Sequence, residues 1–500
     1  MQVYELINPS GAFDRSLGQV AGILAELSHP LADTASHDEL EDWLAGAGRE
    51  LMRSLLQDHL DLRAVREVRR DDVVGCGEER PRSRVESGHE RGLTTVFGAV
   101  RVERLAYRAL AASNLCPADV GLNLPEREHS HGLRRLAAIE ATHGSFEQAQ
   151  AAICRATGVA VGKRQIEALA VAAAVDVDAF WAARRPSVGR QADALVLTFD
   201  GKGIVMRPDS LRPGTAKAAA KAATKLATRL SRGEKRNRKR IAEIACVYDA
   251  APAVRTSADV MASRETPQAA PPKATGKWLF ASVRDTPAAV IAAGFDEAAR
   301  RDPEHLRPWI VLIDGHYQQL RLVRAEAARR KVKVTIICDF IHVLEYLWRA
   351  GWCFFTEGDT AIEDWIAAQA HRVLEGKAGV AAAAIRRKAT YRRLEPTQRR
   401  GADICANYLL KLRPQLRYDT ALAAGWPIAT GVIEGACRHL VADRMGITGA
   451  RWSLPGAQAM LWLRAIAASG DTSAYWDWHL TQEHQRNHLS RYQPGLELAA

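Results

Sequence analysis

The chain has 500 residues, room for roughly three domains of ordinary size, so neither disulfides nor structural metals are needed for bulk stability. Apolar residues make up 47%, which excludes wholesale disorder. The 69 Lys and Arg against 58 Asp and Glu leave a net charge of +11, which permits a polyanion partner without requiring one.

Eight cysteines are scattered with no CxxC pair, against a disulfide framework or a compact thiolate zinc site. The first residues, MQVYELINPSGAFDRS, lack a basic flank leading into an apolar run, and no stretch approaches about 18 uninterrupted apolar residues. The expectation is a soluble cytoplasmic protein in a reducing compartment, with no membrane span.

Residues 38–70 read as one amphipathic helix. Leu44, Leu51, Leu55, Leu56, Leu60 and Leu62 recur at helical spacing among charges. Either core packing or dimerisation would use that stripe. Residues 75–92, rich in Gly, Arg and Glu, read as a loop. In LTTVFGAVRVERLAYR, Val96, Val100 and Val102 share one parity around Gly98, a bent strand or short hairpin with Arg101, Arg104 and Arg108 on a basic side. Residues 130–180 are helical. Ser145 is an N-cap, Thr157-Gly158 ends that helix, and Lys163, Arg164 and Gln165 open the next. The pair fits a DNA-binding helix-turn-helix, and equally a plain helical hairpin.

At residue 194 the texture changes. ALVLTFDGKGIVMR reads as a buried strand reaching Asp200, a tight turn at Gly201 and Gly203, and a second strand; residues 245–254 continue the series. Between them, 212–240 reads as a basic helix. Lys217, Lys221, Lys225 and Arg229 recur every fourth residue, followed by a basic run containing Lys235 and Arg236. PWIVLIDGHYQQL is a strand ending at Asp314, and VTIICDFIHVLEYLWRA is a strand running directly into a helix. Residues 355–420 are helical and carry Arg386 and Arg387. Two apolar helices lie between 425 and 470, and the polar segment after 480 reads as a fraying tail. Strand and helix alternation predicts an α/β core.

Three carboxylates stand out: Asp200 and Asp314 at ends of apolar strands, and Glu434 within the apolar helix IATGVIEGACRHL. Isolated buried acids are costly, and sharing a hard divalent cation such as Mg²⁺ would offset that cost. Asp339 and His342, three apart at a strand-to-helix junction, fit a supporting ion pair or hydrogen bond. His316, just after Asp314, fits a contact to a substrate phosphate, and Arg438, four residues after Glu434, is expected to face the same cleft.

FGAVRVERLAYR, LTFDGKGIVMR, IDGHYQQL, ICDFIHVLEYLWRA and TGVIEGACRHLVADRMGITGARWSLPGAQAMLWLRA carry a resemblance. From about residue 90 to 480 the chain resembles bacterial insertion-sequence transposases of the DDE type, in the Kra group, and distantly the Mutator-like transposases. The resemblance implies an RNase H-like mixed sheet with a helical insertion, preceded by a mainly helical DNA-binding region. Its boundaries would be 1–75 and 76–190 for the amino-terminal regions, 191–345 with 425–480 for the catalytic domain, 346–424 for the insertion and 481–500 for the tail. It implies a catalytic and metal-binding triad of Asp200, Asp314 and Glu434 holding two Mg²⁺ ions, replaceable by Mn²⁺. Asp339 and His342 match an accessory motif. The implied partners are double-stranded DNA with terminal inverted repeats, target DNA, and at least a second copy of the chain. A structure-selective nuclease or recombinase of the same fold, or a DNA-binding regulator derived from a transposase, are the neighbouring readings.

Overall fold

The computed structural model describes residues 11–221, 238–262, 267–447 and 449–496. The chain divides into two compact units, Met1–Ala182 with Thr472–Ala500, and Ala183–Asp471.

In the first unit, α1 (Asp14–Ser28) precedes the long α2 (His37–Arg66). Only the C-terminal part of the leucine stripe of α2 is used: Leu60 and the partly buried Leu56 join Leu93, Val100, Val102 and Leu124 in one cluster, while Leu44 is exposed. The Val residues come from an antiparallel hairpin, β1 (Arg84–Thr95) and β2 (Gly98–Arg108). The expected loop at 75–92 is therefore strand from Arg84 onward. Its charges masked the alternation because they pair across and along the hairpin rather than facing a core. Glu86 meets Arg108 at 2.8 Å and Glu90 meets Arg101 at 3.3 Å. Arg104 is paired as well, with Asp119 at 2.6 Å, so the expected basic side is largely neutralised.

Three helices follow: α3 (His131–His143), α4 (Phe146–Thr157) and α5 (Lys163–Ala173). Ser145 caps α4, its hydroxyl accepting from Gln148 N–H at 3.1 Å while the Gln148 side chain bonds back at 2.8 Å. Gly158 ends α4 at φ +72°, where a side chain would be strained.

Over its described residues, to Leu496, the tail does not fray. A helix at Thr472–Asn487 buries Tyr475, Trp476, His479 and Glu483 within the first unit. Glu483 forms a two-pronged pair with Arg134 of α3 at 2.5 and 2.6 Å, and His479 meets Asp176 at 2.7 Å. Its polar residues are internal partners for buried charges, which composition alone reads as solvent exposure.

The second unit is built on five strands: β3 (Ala194–Val205), β4 (Lys239–Ala250), β5 (Ala274–Ser282), β6 (Trp309–Ile313) and β7 (Val334–Cys338). Their spatial order is β5-β4-β3-β6-β7. β3 pairs antiparallel with β4 and parallel with β6; β4–β5 is antiparallel and β6–β7 parallel. This mixed α/β sheet, following amino-terminal helices, is broadly compatible with an RNase H-like topology. β3 does not turn at its glycines but runs through both as one strand. Gly201 and Gly203 leave room for β4 instead: a Cβ there would lie 2.9 Å from Ile241 and from Lys239.

Leu195, Val196 and Leu197 are fully buried, as are β6 residues from Ile310 to Ile313, because helices cover the sheet. Helix α6 (Pro287–Arg301) packs on β3, β4 and β5, with Phe199 2.7 Å from where a Gly294 Cβ would stand. α7 (Tyr317–Arg330) joins β6 to β7, and α8 (Phe340–Gly351) leaves β7. The block α9 (Ala361–Leu374), α10 (Ala378–Tyr391) and α11 (Arg400–Lys411) follows before α12 (Gly431–Ala436) returns to β3 and β4. α13 (Leu454–Ala468) lies against β5.

The basic stretch is helical only over Pro213–Ala220 among the described residues, and Lys239 and Arg240 already belong to β4. No helix among the described residues is long and apolar enough to cross a membrane.

Candidate functional site

Neighbouring strand residues point to opposite faces. Phe199 packs toward α6, so Asp200 points to the other face, where α12 and the turn after it lie. The thiol of Cys437 donates to Asp200 Oδ2 at 3.0 Å, and Gly201 N–H donates to Oδ1 at 2.6 Å. Burial, with the charge of Asp200 next, pushes the Cys437 thiol well above its ordinary range, so it stays protonated and can donate.

Asp314 follows β6, the strand beside β3. Its carboxylate accepts from His316 N–H at 2.8 Å. The turn depends on Gly315, at φ +85°. A Cβ there would lie 2.7 Å from Leu412 and 3.0 Å from the Tyr408 hydroxyl, which itself reaches the Asp314 carbonyl at 3.4 Å. G315A is expected to destabilise the protein by about 2 kcal/mol, from backbone strain and the clash together; urea unfolding measures it, and an unchanged midpoint would mean the turn relaxes freely.

Asp200, Asp314 and His316 line one cleft of about 320 Å³ with Glu243, Gln318, Gln319 and, from α6, Pro287, Val290 and Ile291, whereas Glu434, Asp339 and His342 do not line it. Glu243 stands opposite Gly201 on β4. Burial, and then the Asp200 charge, raises the Glu243 carboxyl above the usual carboxylate range.

Asp339 caps α8 and is fully buried. It accepts from Ile341 N–H at 3.0 Å, from Thr430 N–H at 3.3 Å and from the Thr430 hydroxyl at 2.6 Å, and pairs with His342 Nδ1 at 3.1 Å. Burial opposes its charge, but the bonds from His342 and Thr430 outweigh that and hold its carboxyl below the usual carboxylate range. The Asp339 hydrogen bond, only partly opposed by burial, raises His342 to about 9.

A folded value above the unfolded one of about 6.5 means that this pair's contribution is complete below that pH. It is lost as pH rises through about 9. The stability difference between wild type and H342Q is therefore expected to shrink from about pH 6 to about pH 10 in urea titrations. A constant difference would show that His342 has the same pKa in the folded and unfolded states.

Ligand atoms of Asp339, His342 and Glu434 all lie within 4.8 Å of one another, and no other His, Cys, Asp or Glu side chains among the described residues are so grouped in threes. Asp339 is buried, His342 half-buried and Glu434 exposed. The cluster equips the chain to coordinate a metal and so for metal-dependent chemistry in general. Its mixed oxygen and nitrogen donors suit a transition ion more than Mg²⁺, and a cation at His342 has to displace a proton. The oxygen-only set of Asp200 and Asp314 suits Mg²⁺ better.

Glu434 belongs to the group of Asp339 and His342 and is linked to Asp200 only through its helix. It is near Asp339 through Thr430, and it lies one turn before Cys437, which holds Asp200. Arg438 points to solvent, 3.8 Å from Asp443, and does not line the cleft. Thr430, Cys437, Glu243 and Tyr408 were not singled out by the sequence reading. For Thr430 and Cys437 a signal existed, since 430, 434 and 437 share a helical face.

The expected DNA-contacting residues are exposed where described, but several are already engaged. Lys163 meets Glu147 at 3.0 Å, and Gln165 is used to cap α5, accepting from Gly162 N–H at 2.9 Å. Arg164, Lys217, Lys221 and Arg387 are exposed, and exposed Arg386 donates to Asn407 at 2.7 Å. Lys225, Arg229, Lys235 and Arg236 lie outside the described residues. No family model matches the chain, and no curated protein matches it.

Proposed function

We propose that the chain is a DNA transposase that cleaves at the ends of an insertion sequence and joins them to target DNA. The observation that carries this reading is the placement of the acids. Asp200 and Asp314 follow the buried parts of adjacent parallel strands, and Glu434 sits on a helix tied back to Asp200 through Cys437. Asp200, Asp314 and Glu434 would hold two Mg²⁺ ions, with Mn²⁺ able to substitute. Divalent cations bound there supply activation of the attacking oxygen and stabilisation of the leaving oxygen.

The chain's own residues set the stage for that chemistry. β3 and β6, paired in parallel as far as Thr198 and Leu312, carry the two carboxylates two residues further on. His316 is exposed on the cleft rim beside Asp314, placed to meet a phosphate oxygen. Lys217, Lys221, Arg386 and Arg387 offer sequence-independent contacts to DNA backbone. Lys163 and Arg164 open α5, as the start of a recognition helix does. Hydrolysis at the element end exposes a 3′-hydroxyl, which then attacks a target phosphodiester. Pairing two ends calls for at least a dimer on DNA.

The test is a Mg²⁺-dependent reaction on plasmid DNA carrying the sequences that flank this reading frame, comparing wild type with E434Q. Cleavage at both ends with joined products is expected from wild type and neither from E434Q. Cleavage without joining would make the protein a nuclease of the same fold. No metal-dependent cleavage at all would overturn the reading.

A further inference from the structure

We propose that Cys437 is a positioning residue that sets the orientation of the Asp200 carboxylate for cation binding, an inference that rests on the role assigned above to Asp200. The terminal torsion of an aspartate is soft, with no strongly preferred staggered well. A carboxylate meant to meet a cation at one angle therefore needs donors that fix it from outside. Asp200 has two. Gly201 N–H holds Oδ1 at 2.6 Å from its own strand, and the Cys437 thiol holds Oδ2 at 3.0 Å from a different element, 237 residues away. Each oxygen carries two lone-pair sites, so one donor apiece leaves one site on each for a cation.

The thiol suits this task. It is a weak donor, so it orients the carboxylate while withdrawing little of the electron density a cation needs. It is only 4% exposed, so water does not compete for the bond. Its place in the helix is also unusual. Cys437 opens a π-helical turn, Cys437–Ala442, directly after α12. Such turns insert one extra residue and redirect the side chains at that point, and they recur at functional sites. The same stretch presents Thr430 to Asp339 and Cys437 to Asp200, with Glu434 between. Two anchors thus register this helix against the middle of β3 and the end of β7.

The experiment is Mn²⁺ binding to the metal-free protein, followed by electron paramagnetic resonance titration, for wild type, C437S, C437A, C437V and D200N, each carrying H342Q to weaken the competing group of Asp339, His342 and Glu434. Thermal melts of each variant confirm folding. C437A and C437V, which lack a donor, are expected to bind Mn²⁺ about tenfold more weakly. C437S keeps a donor and is expected to stay close to wild type. Adding C437A to D200N is expected to change nothing further, because the thiol acts through that carboxylate. Wild-type binding by both C437A and C437V, or C437S as weak as C437A, would overturn the role of Cys437. If D200N itself leaves Mn²⁺ affinity and DNA cleavage unchanged, the proposed function falls as well. If D200N abolishes both while C437A and C437V match wild type, only the inference about Cys437 falls.

Discussion

D200N is expected to lower Mg²⁺-dependent DNA cleavage by on the order of 10³-fold, with DNA binding and thermal stability retained. The substitution keeps the shape of the side chain and removes its charge, on the strand at the centre of the sheet. Asn can still accept from Gly201 N–H, so the local backbone has no reason to move. The informative comparison is with H342Q. If the cation needed for catalysis is held by Asp200, Asp314 and Glu434, H342Q loses far less activity than D200N. If D200N cleaves normally and H342Q does not, the working metal centre is the group of Asp339, His342 and Glu434 instead. Initial rates on one labelled duplex, at several Mg²⁺ concentrations, separate the two.

E483A is expected to destabilise the first unit by about 3–5 kcal/mol, because it leaves Arg134 buried without its counter-ion. Arg134 and Glu483 are 6% exposed each. Burial works against the Glu483 charge, and Arg134 more than offsets it, holding the carboxyl below its ordinary value. The contribution is therefore present above the unfolded carboxylate range and lost as pH falls through the depressed folded value. Equilibrium unfolding of wild type, E483A and the double variant R134M/E483A is the measurement. The double variant is expected to recover part of the loss, since it removes the unpaired buried charge but leaves a cavity where Glu483 stood. A shift under about 1 kcal/mol for E483A would mean that the pair is hydrated and the terminal helix only loosely held.

Periodicity was a sound guide wherever one face of an element is apolar. The C-terminal part of the stripe on α2, the cap at Ser145, the buried cores of β3 and β6 and the passage from β7 into α8 all appear where hydropathy and capping chemistry place them. Charge-rich segments were misread for a common reason. In β1 and in the terminal helix the polar residues are satisfied by partners elsewhere in the chain, so composition alone resembles loop or tail. Gly201 and Gly203 were misread differently. Glycine marks both a turn and a close approach of strands, and only the register with β4 distinguishes them.

At the candidate site, what the sequence by itself determined is local. It marked Asp200, Asp314 and Glu434 as acids in apolar settings, and the spacing of Asp339 and His342 announced their pairing. Those features depend on neighbours within one turn or one strand. The tertiary structure decided which acids stand together. It placed Glu434 in one group with Asp339 and His342 while tying its helix to Asp200 through Cys437. Such contacts span some 90 to 240 positions and are set by strand order and helix return, which no local pattern encodes.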